Sequence, residues 1–166
     1  MHASTILRVA LAAALLAASG AWAATAEVNF INPEKFTDGG QRFQATQADA
    51  VQGSLRDFLV KEAEQRLPAD QKLVINVTDV DLAGWYDPRQ LISREVRIVK
   101  QDRPPRVNLD FRLLAADGSV LKEGQRNLWD PSFMTSPTLG FGSDNLRYEK
   151  AMLQEWMIRE FGRGKP

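Results

Sequence analysis

The sequence predicts an α+β protein: a two-layer sandwich in which a mostly antiparallel sheet of about four strands carries two helices on one face. Two segments, 46–67 and 143–161, repeat their apolar side chains at helical spacing. Between them, residues 107–113 alternate between apolar and polar side chains, and Asp117-Gly118 follows as a hairpin turn. Because such a strand has one polar face, we expect a largely antiparallel sheet whose other face is covered by the helices.

The first half of the chain predicts a strand, a helix and then the strongest strand of the protein. Residues 28–31 are the first strand, and Pro33 ends it or confines it to an edge. The helix begins near Thr46 and is closed by Pro68. Residues 72–82 form the next strand, because they are rich in β-branched side chains. The apolar face of the helix consists of Val51, Leu55, Phe58, Leu59 and Leu67.

The second half predicts a loop, a hairpin and a last helix. Residues 84–93 are typical of a loop, and 95–100 of a short strand. The hairpin continues from 107–113 into a strand at 120–129, and a long loop follows at 131–142. Ser143 or Asp144 caps the last helix, which ends at Gly162 and Gly164. Its apolar face consists of Leu146, Leu153, Trp156, Met157 and Phe161.

The N-terminal segment has the pattern of a secretory signal peptide. Residues 9–18 are wholly apolar, which is too short a run to span a bilayer, and Ala21-Trp22-Ala23 is a small-x-small cleavage site. A buried N-terminal helix is the alternative, but the alanine-rich run has no polar face. We expect residues 1–23 to be removed, leaving a single α+β domain at 24–166. The predicted location is the periplasm or the outside of the cell, with no membrane span after cleavage.

The composition excludes most familiar catalytic chemistry. His2 is the only histidine, it lies in the predicted signal peptide, and the chain has no cysteine. Serine and cysteine nucleophiles paired with histidine are therefore excluded, as are imidazole or thiolate metal sites and disulfides. We predict no cofactor and no metal, and any enzymatic activity would depend on carboxylates.

The charge balance also argues against nucleic acid as a partner. Removing residues 1–23 takes Arg8 out of the 21 basic side chains and leaves 20 against 21 acidic ones, a net charge of −1. A chain with interspersed charges and no net positive charge lacks the basic surface that binds nucleic acid. The sequence gives no prediction of oligomeric state.

Several segments resemble a bacterial exported family of proteins of unknown function, the domain of unknown function numbered 3016. The central match is the run from Ile75 to Gly84, which reads Ile-Asn-Val-Thr-Asp-Val-Asp-Leu-Ala-Gly. The resemblance extends from about residue 27 to residue 161 and implies an exported single-domain protein. It implies no activity and no catalytic residue. The shorter matches are Val28-Asn29-Phe30, Pro105-Arg106, Leu128-Trp129-Asp130, Glu149-Lys150 and Trp156.

The end of the central match holds most of the candidate site residues. Asp79 and Asp81 lie two apart on a strand, so their carboxylates share a face, and Asp87 could return to them from the loop. Trp85 and Tyr86 lie beside them and could stack on a sugar ring. The spacing partly fits a calcium loop, but the fifth position is Ala83 and the twelfth is Gln90 where a bidentate Glu is needed, so we expect no EF-hand.

Three interpretations of this cluster remain open. In the structural one, Asp79 caps the strand end or accepts backbone N–H bonds in the turn that follows, and Asp81 pairs with Arg89 or Arg94. In the second, the cluster binds a ligand, and a looser oxygen-ligand site for Ca²⁺ or Mg²⁺ is one form of this interpretation. In the third, Asp79, Asp81 or Asp87 serve a carboxylate-based hydrolase or a glycan-active enzyme, because two carboxylates suffice for glycoside hydrolysis.

The loop at 131–142 supplies one further candidate, Phe141. Long loops in compact domains are often functional, and this one carries apolar side chains that either bind a partner or fold back onto the core. The predicted function is a non-enzymatic binding module of the cell envelope whose partner is an envelope protein or a cell-wall component. The alternative is the carboxylate-based enzyme.

Overall fold

The computed structural model describes residues 25–38, 45–86, 97–135 and 141–164. The predicted signal peptide lies outside these residues. Two helices and six strands are present in the described part of the chain, together with a short 3-10 turn at Pro33–Lys35. In chain order they are β1 (Thr25–Phe30), α1 (Ala45–Arg66), β2 (Lys72–Asp81), β3 (Trp85–Tyr86), β4 (Arg97–Ile98), β5 (Arg106–Leu114), β6 (Val120–Trp129) and α2 (Arg147–Phe161).

The main sheet has four strands in the order β1-β2-β5-β6. The β2–β5 and β5–β6 pairs are antiparallel, whereas β1 and β2 run parallel, so the sheet is mixed. The parallel pair follows from the connection, because α1 forms a crossover that returns the chain in the same direction. The α+β class and the four-strand sheet are confirmed. Whether both helices cover a single face stays a prediction.

Two predicted elements differ in detail from the structure. The strand expected at 95–100 is described only at β4, which pairs with β3 in a separate two-stranded ribbon rather than with the main sheet. The last helix begins at Arg147, later than predicted, because Asp144 bonds into the preceding turn. Its Oδ1 accepts the backbone N–H of Leu146 at 2.7 Å, and its Oδ2 pairs with Lys150 at 2.6 Å.

One face of the sheet forms the hydrophobic core. On β5, Phe111 packs edge-on against Trp156 and Phe161 of α2, with ring centroids 5.7 Å and 5.6 Å away. On β1, the backbone carbonyl of Val28 accepts a bond from Arg56 of α1 at 3.3 Å. The buried strand residues on this face are Val28, Leu73, Ile75, Val77, Val80, Val107, Leu109, Phe111, Leu113 and Leu128.

Two cationic side chains of the edge strand β6 face α2. Lys122 and Arg126 both pair with Glu160, at 2.7 Å and 2.5 Å, and the Arg126 guanidinium lies 5.2 Å from the centre of the Phe111 ring. Charges on the inward side of an edge strand discourage pairing with a foreign strand. Burial alone would raise the pKa of Glu160. Its hydrogen bonds and charge interactions with Arg126 and Lys122 together outweigh burial, so the pKa of Glu160 lies below its usual value.

Replacing Glu160 by glutamine is expected to cost about 1–3 kcal/mol of stability at neutral pH, because two charge-assisted bonds are lost. The pKa of Glu160 is lowered in the folded protein, so its ionised form stabilises the fold above the usual value of 4.5. That contribution is lost as the pH falls below 4.5. Urea unfolding of both proteins over this range should show the difference shrinking. Glu64→Gln, at an exposed site on α1, is the control and should change the stability at neutral pH by less than about 0.5 kcal/mol.

Candidate functional site

The central strand β2 divides its side chains between two faces. Most of its apolar residues enter the core, although Val74 lies on the opposite face. That opposite face also carries Asn76, Asp79 and Asp81, which are half-buried. The pairing with β5 establishes this orientation, since these three residues lie opposite Asp110, Asn108 and Arg106. A register shift between Val77 and Asp79 keeps the polar residues on one face beyond it. We call this second side of the sheet the open face.

Both carboxylate oxygens of Asp79 accept hydrogen bonds from another part of the protein. Its Oδ1 accepts the backbone N–H of Thr37 at 2.7 Å, and its Oδ2 accepts the Thr37 hydroxyl at 3.0 Å. The backbone bond expected from the structural interpretation is therefore present, although its donor lies after β1 and not in the turn after β2. Asp81 lies opposite Arg106. Its two predicted partners fall outside the described residues.

The other predicted site residues lie elsewhere. Trp85 is part of β3, and its ring centre is 5.2 Å from the Lys100 ammonium and 5.3 Å from the Arg103 guanidinium. The Tyr86 side chain and Asp87 lie outside the described residues. Phe141 packs edge-on against Phe58 of α1 at 5.6 Å. The structure therefore does not bring Phe141 together with Asp79 and Asp81.

Phe141 lines a groove between the two helices. The groove has a volume of about 520 Å³ and a mixed polar and apolar lining, which includes Phe58, Glu62, Lys150 and Gln154. The buried Glu62 pairs with Arg66 at 2.9 Å, and its other oxygen accepts a long bond from Gln154 at 3.5 Å. The bond from Gln154 connects α2 to α1, whereas the pair with Arg66 lies within α1.

The residues after β2 form a buried anchor that the sequence did not reveal. Glu149 of α2 is 0% exposed, and its Oε1 accepts the backbone N–H of Ala83 and an N–H of Arg97, each at 2.7 Å. Arg97 also donates to the carbonyl of Asn145. Gly84 donates its N–H to the carbonyl of Arg103 at 2.9 Å. The end of the central match is thus bonded to α2 and to the turn that follows β4.

A chain of hydrogen bonds crosses the open face from β1 to β5. The Asn29 amide donates to Asn76 at 3.2 Å, and the Asn76 amide donates to Asp110 at 2.8 Å. In the neighbouring row, Lys72 pairs with Glu27 at 2.7 Å. These polar side chains on the β1–β2 half of the open face therefore have hydrogen-bond or ion-pair partners within the protein.

The β5–β6 half of the open face is different. Its cross-strand pairs are Arg106 with Trp129, Asn108 with Asn127, and Asp110 with Gln125; we call these six residues the amide strip. Asn127, Gln125 and Arg106 are exposed, and Trp129 is 56% exposed, with the Arg106 guanidinium 5.4 Å from its ring centre. Among the described residues, no side-chain hydrogen bond satisfies the amides of Asn108, Gln125 or Asn127.

The segments that carry the family resemblance contribute to the open face. Asn29, Asn76 and Asp79 come from the two strands β1 and β2, while Arg106 and Trp129 come from the two short matches on β5 and β6. The polar alternation on β5 was visible in the sequence. The position of Trp129 was not, because it depends on the register of the hairpin.

Metal binding and membrane spanning are two further properties that bear on the site. The described residues contain no group of three or more histidine, cysteine, aspartate or glutamate side chains that could hold a metal ion. No helix within the described ranges is both long enough and apolar enough to cross a membrane.

Comparisons with known proteins give a family but no activity. The model of a family described as "Protein of unknown function (DUF3016)" matches residues 24–159. None of the curated proteins matches the chain. Among solved structures, a dodecamer of a PelC variant from Paraburkholderia phytofirmans is similar at 12% identity and a TM-score of 0.37, covering 86% of this chain and 88% of that chain. A similarity of this degree leaves the function open.

Proposed function

The chain belongs to the DUF3016 family of proteins of unknown function, and from its own surface we propose that it is an exported, non-enzymatic binding module of the cell envelope. The amide strip is its binding surface. One observation carries the proposal: three side-chain amides that have no hydrogen-bond partner within the described part of the chain lie side by side and end at an exposed tryptophan. An aromatic ring beside free donors and acceptors offers a ligand both stacking and hydrogen bonds.

The enzymatic alternative has less support. A glycosidase needs two carboxyl groups that face the scissile bond from opposite sides. Both oxygens of Asp79 already accept bonds from Thr37, which leaves that group poorly placed to receive or deliver a proton. On the amide strip, Asp110 is the one carboxylate, and it accepts the amide of Asn76. The strip therefore suits binding better than acid–base chemistry.

Trp129→Ala is expected to reduce binding to an isolated bacterial cell-envelope fraction by on the order of tenfold, because truncation of an interface tryptophan that stacks on a ligand has a large effect. The measurement is co-sedimentation of the purified protein with that fraction. Leu121→Ala is the matched control, since Leu121 is 52% exposed on the same strand but lies outside the amide strip. The control should bind like the unaltered protein.

The proteins for this experiment are produced with their own N-terminal segment, so that export is examined at the same time. We expect recovery from the periplasm with Ala24 as the first residue. Circular dichroism establishes that each variant is folded. Equal envelope binding by the unaltered protein and Trp129→Ala would contradict the proposed surface.

A further inference from the structure

We infer that the ligand of the amide strip is a neutral polysaccharide chain lying along β5 and β6, with one sugar ring stacked on Trp129. This inference rests on the proposed function and names the chemical class of its ligand. It draws on the hydrogen-bonding capacity of the strip, the exposed aromatic ring, and the balance of charge around them.

The hydrogen-bonding groups match sugar hydroxyls. Each side-chain amide offers two N–H donors and a carbonyl acceptor, and a hydroxyl both donates and accepts. Asn127 and Gln125 follow each other on one face of β6, so their side chains are roughly 7 Å apart along the strand. Asn108 lies directly across from Asn127, at about 5 Å between their Cβ atoms. This grid presents donors and acceptors at the scale on which neighbouring sugar rings present hydroxyls.

Trp129 gives the strip a place to stack a ring. It occupies the end of the strip, it is 56% exposed, and the neighbouring Arg106 guanidinium lies 5.4 Å from its ring centre. The C–H faces of a pyranose are apolar, so they pack on an indole while the equatorial hydroxyls turn to the adjacent amides. Arg106 restricts the movement of the indole and thereby lowers the entropy cost of stacking.

The charge of the strip favours a neutral ligand. Its two charged members, Arg106 and Asp110, have opposite signs, and Asp110 is held by Asn76 at 2.8 Å. In the next row, Arg112 lies opposite Glu123. Arg106 itself lies opposite Asp81. A polyanion would therefore find an acid beside each of these two cations, and the face lacks the positive field that attracts one.

The composition of the strip also separates a glycan from a protein partner. Protein interfaces bury an apolar core and are depleted of charged residues there. Apart from Trp129, every member of the strip is polar or charged. A glycan needs only one stacking ring and a row of hydrogen bonds, which is what the strip supplies.

The test is calorimetric titration of the exported protein with three neutral hexasaccharides, cellohexaose, maltohexaose and chitohexaose, and with anionic polygalacturonate. At least one neutral hexasaccharide should bind, with affinity insensitive to salt. Asn108→Ala and Asn127→Ala should each weaken that binding about fivefold, the effect of one net hydrogen bond. Gln65→Ala, which removes an exposed amide from α1, should leave it unchanged.

Tryptophan fluorescence locates the ligand. Binding should change the emission, and Trp129→Phe should bind the saccharide while losing that change, because phenylalanine still stacks. No binding of any neutral hexasaccharide, or tighter and salt-sensitive binding of polygalacturonate, overturns the inference. If envelope binding still depends on Trp129 in that case, the proposed function stands and only the ligand class is wrong. If the envelope fraction is not bound at all, both fail.

Discussion

Replacing Glu149 by alanine is expected to lower the free energy of unfolding by about 3–5 kcal/mol, the usual effect of removing one partner from a buried ion pair. Glu149 is fully buried, and its partner Arg97 has a side chain only 8% exposed. The substitution leaves the Arg97 guanidinium buried without its counter-charge and the Ala83 N–H without its acceptor. Both groups would keep their desolvation penalties and lose the bonds that offset them.

Urea unfolding followed by circular dichroism measures this effect. The matched control is Glu155→Ala, on the same helix, whose side chain is 65% exposed and lies 3.8 Å from Arg159. An exposed pair at this spacing contributes well under about 1 kcal/mol, so the control should unfold almost like the unaltered protein. If Glu149→Ala lowered the free energy of unfolding as little as the control does, the Glu149 anchor would not stabilise the fold.

Glu149 illustrates which features of the structure could be predicted from the sequence and which could not. It lies three residues after Leu146 and four before Leu153, on the apolar side of α2. A charged residue at such a position is a signal of a buried, paired carboxylate. Its partner could not be inferred from spacing, because Arg97 and Ala83 reach it through tertiary contacts 52 and 66 residues away.

The same holds for the sheet: features that depend on local sequence could be predicted, and features that depend on tertiary contacts could not. The alternation on β5 and the Asp117-Gly118 turn were predictable, and the structure shows the turn, with Gly118 at a φ of 82° and β6 returning beside β5. The parallel pairing of β1 with β2 was not predicted, because it depends on the path of α1 across the sheet. The amide strip likewise needs the register of two strands, since a shift of one residue would turn Trp129 to the other face.

The predicted site residues were grouped by their nearness in sequence, and that grouping held only in part. Asp79 and Asp81 do share the open face, as the two-residue spacing of a strand requires. Trp85 follows them closely in the chain, yet the left-handed Gly84, with a φ of 83°, directs it into the β3–β4 ribbon. The turn after β2 therefore separates residues that the sequence placed together.

Gly84→Ala is expected to destabilise the protein by about 2–5 kcal/mol, combining the left-handed backbone penalty with overpacking. An alanine Cβ at this position would lie 2.1 Å from the carbonyl oxygen of Ile98 and 2.8 Å from the Cα of Val99. Both are backbone atoms, so no side-chain rotation relieves the contact, and the β3–β4 ribbon must move.

Gly118→Ala separates the two contributions. Gly118 has almost the same φ, 82°, but a Cβ there would meet nothing within 4 Å. It should therefore lose only the backbone penalty of about 1–2 kcal/mol, and urea unfolding of the two variants measures the contact by difference. Equal losses would show that the ribbon yields to the new methyl group at no cost.

The anchor and the glycine should also be coupled. Gly84 packs on Ile98, whose neighbour Arg97 is the partner of Glu149, and Ala83 bonds to the same carboxylate. A ribbon displaced by Gly84→Ala has already weakened the bonds that Glu149→Ala removes. The double variant should therefore lose less stability than the sum of the two single losses, by at least about 0.5 kcal/mol. Strict additivity would mean that the turn and the ion pair stabilise the fold independently.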